Sequence, residues 1–178
     1  DAGNADAAER IRRAVDRIAA VTEATLSFTQ SGALSTVEPV GIPEAARAAW
    51  GSLDTGEATL SADGAPTIHG DRRLLLQLFE NLFRNSVTYA TREGADSGPA
   101  VAVGALPDGF YLEDDGPGVP EATRDVAIQA DFSTQGVGGL GLAIVQTIAE
   151  AHGGTLTITD AETGGARFEI RDVDVAPD

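Results

Sequence analysis

Residues 136–154 read GVGGLGLAIVQTIAEAHGG, and six residues further on, after the alternating run TLTIT, stands Asp160. Glycines 136, 138 and 141 match G-x-G-x-x-G, and a glycine-rich turn followed by a helix, a strand and an acid outlines a dinucleotide-binding unit. The surroundings argue against that unit. It needs a buried apolar strand running into the first glycine, whereas residues 130–135, ADFSTQ, are polar. It also needs more parallel strands downstream, and only 18 residues follow Asp160. What remains is a glycine loop leading directly into a helix, whose free backbone N–H groups suit an anion such as a phosphate.

Two further stretches carry chemistry. Asp71 is placed as an N-cap, and the helix after it buries Leu75, Leu78, Phe79, Leu82, Phe83 and Val87 on one face. Glu80, Asn81, Arg84, Asn85 and Thr88 line a second, polar face. Asn81 and Asn85, one turn apart, project side by side and offer amide oxygens to a hard cation and amide N–H groups to phosphate. Taken alone, such a pair reads first as a cap or a hydrogen-bonding partner for a neighbouring loop, ahead of a ligand site. In DDGPGVP, residues 114–120, the glycines let backbone approach a flat ligand, and a carboxylate at a strand end can accept from an exocyclic amine. Alone, that run is a turn.

The remaining pattern is a folded α+β chain. Residues 7–31 place Ile11, Ala14, Val15, Ile18, Val21, Thr25 and Phe28 on one stripe of an amphipathic helix, which would suit a partner helix or a bed on its own domain. GALSTVEPVGIPE, residues 32–44, reads as a linker, and EAARAAW as a short helix. EATLSA and APTIHG are strand candidates either side of a turn; AVAVGAL and GFYLED, and later TLTITD and ARFEIR, are further strands joined by turns. EATRDVAI suits a short helix, and QADFSTQGVGG has neither period and reads as a loop.

Composition removes several classes of function. There are 28 Asp plus Glu against 12 basic residues, all Arg, for a net charge of −16. A surface so acidic repels nucleic acid and anionic lipid. It suits solubility in concentrated salt, where a Debye length of about 3 Å screens self-repulsion, and it is the composition expected of a salt-loving organism. Zero Cys excludes disulfides and thiolate chemistry, and two His, at 69 and 152, make a zinc site unexpected. No run approaches the roughly 20 apolar residues of a membrane span. The chain begins at Asp1 with no Met and no signal peptide, and is expected to be a piece of something longer.

The trio ENLFRNS, EDDGPGVP and GVGGLGLAIV, in this order, resembles the ATP-binding family shared by sensor histidine kinases, gyrase B, the heat-shock 90 chaperones and the mismatch-repair ATPases. It is most similar to the kinase branch, and the likeness runs over roughly residues 39–173. The resemblance implies a two-layer α/β sandwich, a mixed sheet covered by helices in the Bergerat-type ATP-binding fold, preceded by one amphipathic helix. It divides the chain at 1–38, the second helix of a dimerisation hairpin plus linker, and 39–178, the ATP-binding catalytic domain. It assigns ATP and Mg²⁺ as cofactors. Asn81 and Asn85 become catalytic and nucleotide-binding residues, with Asn85 holding Mg²⁺. Asp114 receives the adenine amino group, with Gly116 and Gly118 forming the turn behind it. Tyr89 ends the asparagine helix; Phe132 and Thr134, with Ser133 between them, resemble the lid; Gly138, Gly139, Leu140 and Gly141 form the phosphate loop. His152, in AHGG, matches a common family position and reads as structural.

Two positions depart from the family pattern. G-x-G-x-G would place its first glycine at position 137, where this chain has Val, and the Lys common shortly after the metal-binding Asn is replaced by Thr88. The second change leaves Arg84, Arg92 or Arg124 as candidates to meet phosphate charge. In the family, the γ-phosphate passes to a histidine on a helical hairpin and then to an aspartate on a response regulator. No His lies in or before the first helix, so the expected acceptor is on a missing hairpin arm outside this chain. The implied partners are that phosphoacceptor hairpin, a response regulator receiver domain and a second copy paired through the N-terminal helix, with no nucleic acid and no direct membrane contact. The implied location is cytoplasmic, as the soluble part of a longer, membrane-associated sensor. The alternative is a degenerate kinase-like module that holds ATP and signals without phosphotransfer. A chaperone- or topoisomerase-like ATP-driven clamp is a third reading, disfavoured because its hydrolytic Glu would stand at position 81, here Asn.

Overall fold

Alternation along Phe110, Tyr111, Leu112 and Glu113 gives a strand one dry face and one wet one, and the sheet is built on that rule: Phe110 and Leu112 are fully buried, while Tyr111 and Glu113 are partly exposed. A computed structural model describes residues 34–90, 98–129 and 139–177. In chain order the elements are β1 (Glu38–Gly41), α1 (Ile42–Gly51), β2 (Thr59–Ser61), β3 (Thr67–Gly70), α2 (Arg72–Tyr89), β4 (Ala100–Leu106), β5 (Gly109–Asp114), α3 (Glu121–Gln129), α4 (Gly139–Ala151), β6 (Thr155–Asp160) and β7 (Ala166–Arg171).

Five strands form a mixed sheet in the order β2-β4-β5-β7-β6; β2 runs parallel to β4 and the other neighbours are antiparallel. Antiparallel pairing of β6 with β7 disposes of the dinucleotide-binding unit, which would need a parallel sheet at that point. The dry face of the sheet packs on α2. Phe79 stacks against Phe83 and reaches Phe110 of β5, with ring centroids 5.7 and 5.6 Å apart, and Trp50 of α1 meets Phe83 edge-on at 5.0 Å. Helices α1 and α4 lie on either flank of α2, α1 through the fully buried Ala45, Ala46 and Ala49. On the wet face, Arg167 sits 3.6 Å over the Tyr111 ring and pairs with Glu113 and Glu169, while Arg171 bridges Glu169 and Asp108.

One local expectation is corrected. Residues 32–44 are not wholly linker: Glu38–Gly41 form β1, antiparallel to β3, with Val40 opposite Ile68. A strand containing Pro39 suits an edge, where the missing N–H breaks no ladder. Both adjacent strand candidates form, β2 joining the main sheet and β3 the two-stranded one. Beyond β7 the chain returns to β3, where the His69 N–H donates to Asp174 O and the Ala176 N–H to Thr67 O. The expected helix at 7–31 and the loop at 130–138 lie outside the described residues. No described helix is long and apolar enough to cross a membrane.

Candidate functional site

Helix α2 fixes one wall. It starts where the Asp71 carboxylate accepts the N–H groups of Arg73 and Leu74, an N-cap as the sequence indicated. Ten and fourteen residues further on, Asn81 and Asn85 emerge half-buried on the same side. The Asn81 amide nitrogen donates to the Gln77 carbonyl at 2.8 Å, which turns its oxygen outward.

The opposing wall is the first turn of α4. A Cβ on Gly141 would stand 3.5 Å from Asn81 Oδ1, 3.5 Å from Asn85 Oδ1 and 3.6 Å from Asn85 Nδ2. Residues 56 or more positions apart thus face each other across a gap that the bare glycine keeps clear. The first N–H groups of a helix have no partner inside it, so α4 brings backbone donors to the place where the two amides end. Gly139 and Leu140 are the first two residues of that helix.

Asp114 closes the far end. It is the last residue of β5 and only 5% exposed. One carboxylate oxygen accepts the N–H groups of Gly116 and Ala166 at 3.0 and 3.2 Å, and the other accepts the Ser86 hydroxyl of α2 at 3.0 Å. Two glycines allow this convergence. A Cβ on Gly116 would lie 2.5 Å from Ala90 Cα, and one on Gly165 would overlap the Asp114 carbonyl oxygen. Gly118 adopts φ +77°, a left-handed conformation that favours glycine. Tyr89, at the end of α2, is 46% exposed, and partial burial of its hydroxyl raises its pKa above the usual tyrosine value.

The structure therefore brings Asn81, Asn85 and Gly141 together, and places Asp114 with Gly116 in one buried turn. Phe132, Thr134 and Gly138, together with Val137 and Arg92, lie outside the described residues. Arg124, one of the three candidates to meet phosphate charge, donates from its guanidinium to the Val119 carbonyl and pairs with Asp160, tying α3 to the end of β6. Arg84 lies on the exposed side of α2. His152 is structural, donating from Nδ1 to the Ile148 carbonyl at 2.7 Å and accepting the Asp71 N–H on Nε2 at 3.0 Å. Ser86, Ala166 and Gly165 were not among the site residues expected from sequence. Ser86 left a signal there, as a polar residue within the apolar spacing of α2; the other two read only as a turn and a strand start.

Among the described residues no group of three or more His, Asp and Glu could hold a metal ion. The neutral oxygens beside Gly141 suit a hard cation that takes most of its ligands from water and phosphate, as Mg²⁺ does.

The profile of the family described as "Histidine kinase-, DNA gyrase B-, and HSP90-like ATPase" matches residues 70–176. Among curated relatives, the two-component sensor PhoQ of Pseudomonas aeruginosa is 36% identical over 122 residues, 64% of this chain and 26% of that protein. The sensor protein RstB of Escherichia coli K12 is 36% identical over 112 residues, 56% of this chain and 24% of that protein. The chain thus spans about a quarter of the length of these relatives. Among solved structures, the ATP binding domain of PrrB from Mycobacterium tuberculosis superposes with TM-score 0.56 at 26% identity, over 79% of this chain and 98% of that one. The mycobacterial sensor histidine kinase MprB, at 24% identity and TM-score 0.64 over 80% of this chain and 99% of that one, shares the fold.

Proposed function

The chain belongs to the family of histidine kinase-, DNA gyrase B- and HSP90-like ATPases, and we propose from that premise that it is the catalytic unit of a two-component sensor kinase, passing the ATP γ-phosphoryl group to a histidine on another segment. The observation that carries this reading is the meeting of Gly141 with Asn81 and Asn85, with the buried Asp114 carboxylate supported from α2, β7 and its own turn. Adenine would be recognised through its amino group by Asp114. The polyphosphate would run along the gap to the N-terminus of α4. Asn85, with Asn81 one turn before it on the same side of α2, would offer an amide oxygen to Mg²⁺, whose charge offsets that of the phosphates when it is bound. Phosphoryl transfer of this kind asks the protein for positioning and electrostatics rather than covalent chemistry. In the transfer, the bond from the γ-phosphorus to the bridging oxygen breaks, a bond to an imidazole nitrogen forms, and ADP leaves.

Residues 1–38 are read as the second hairpin helix with its linker and 39–178 as the ATP-binding domain. The partners are the phosphoacceptor hairpin, a response regulator receiver domain and a second copy through the N-terminal helix. We place the unit in the cytoplasm, and read the net charge of −16 as adaptation to a salt-rich interior.

Calorimetric titration in molar KCl with Mg-ATP, Mg-ADP and NAD tests the site. Both adenine nucleotides should bind, NAD should not, and Asp114→Asn should weaken binding at least about tenfold, since the amide nitrogen cannot accept the hydrogen bonds made here. Absence of nucleotide binding by the unaltered chain would overturn the reading. Binding without phosphorylation of an added hairpin would favour the signalling module that lacks phosphotransfer.

A further inference from the structure

Ser86 is the one polar residue among the buried residues of α2, and it is 1% exposed. A hydroxyl buried in a helix commonly donates to the carbonyl four residues back. This one reaches out of its helix and donates at 3.0 Å to Asp114, 28 positions along the chain. The division of labour on Asp114 is uneven. Among the described residues, Oδ1 accepts two backbone N–H groups, from Gly116 and Ala166, while Oδ2 accepts Ser86 alone. A carboxylate oxygen has about two acceptor positions, so Oδ1 is filled and Oδ2 has one left.

We propose that Ser86 is a positioning residue for base selection: its hydroxyl pins Asp114 Oδ2 so that the one remaining lone pair faces an exocyclic amine, favouring 6-aminopurine nucleotides over purines without that group. The proposal rests on the reading of Asp114 as the base-recognition residue and adds to it a selectivity set from α2. A 6-oxopurine would present an oxygen to an oxygen that can only accept, so it is rejected by the same arrangement. Without the hydroxyl, Oδ2 loses its one partner among the described residues, and the carboxylate plane is held through Oδ1.

The test compares ADP with purine riboside diphosphate, which lacks the 6-amino group, on the unaltered chain and on Ser86→Ala, by calorimetry in molar KCl. The unaltered chain should prefer ADP, and Ser86→Ala should narrow that preference by roughly three- to tenfold, leaving affinity for the purine analogue within about twofold. Ser86→Cys, close in volume and a weak donor, should fall between them and serves if the alanine variant is poorly folded. A merely structural Ser86 would shift both affinities together; an unchanged preference in both variants therefore overturns the proposal while leaving the adenine site standing. Failure of the unaltered chain to bind either nucleotide would overturn the adenine site and this inference with it.

Discussion

Gly141 sets stability against binding at a single atom. Its added Cβ would sit at ordinary contact distance from both asparagine amides, so alanine is accommodated. Alanine also removes backbone freedom from the unfolded chain, worth about 0.4–1 kcal/mol. Gly141→Ala should therefore melt slightly higher than the unaltered chain in a thermal scan, yet bind Mg-ADP more weakly in calorimetry, because the methyl occupies the gap that phosphate would enter. Gly116→Ala should behave oppositely. Its Cβ meets backbone at Ala90, 2.5 Å away, and the Asp114 carboxylate at 3.0 Å, so folding itself should lose about 1–3 kcal/mol in urea titrations. Asn81, Asn85, Asp114, Gly116 and Gly141 could be named from sequence because each lies in a short local pattern. Ala166 could not, since its N–H reaches Asp114 across 52 residues and only the sheet pairing of β5 with β7 brings the two together.

At the scale of elements, Asp71 is a junction. One oxygen caps α2, the other accepts both the N–H and the hydroxyl of Ser35 at 3.1 and 2.7 Å, and its own N–H is held by His152 at the end of α4. Burial raises its pKa, but the hydrogen bonds from Ser35, Leu74 and Arg73 outweigh burial and leave it below the ordinary aspartate value of 3.8. A depressed carboxylate contributes stability that is present above its unfolded pKa and lost as pH falls through the folded one. Asp71→Ala should thus cost about 1–2 kcal/mol at neutral pH, in line with a lost cap. Its deficit against the unaltered chain should shrink in urea titrations carried from pH 6 to below 3.8. The cap of α2 was legible from Asp71 alone. Strand β1 was not: EPVG carries a proline and a glycine, residues depleted in strands, and only its pairing with β3 makes it one.

For the whole molecule, charge and topology are separate matters. The order of helices and strands indicated an α+β chain and the family resemblance a mixed sheet, but the strand order places β2 beside β4 and sends β3 to another sheet, a long-range choice that no local pattern records. With 28 acids against 12 arginines, the acids outnumber the arginines by 16. Self-repulsion should make the folded chain more stable as KCl rises from 0.1 to about 2 M, where the Debye length falls from about 10 Å to below about 3 Å. A melting temperature that rises by several degrees in a thermal scan is expected, and one that falls would remove salt adaptation as the account of this composition. The hold on His152 has a practical side. Its two ring nitrogens are both engaged inside the fold, so it offers no nucleophile to a phosphoryl donor. The chain's other histidine is His69. A reconstituted kinase reaction can therefore be run against a single blank, His69→Gln, and radiolabel retained on an imidazole there belongs to whatever hairpin was added.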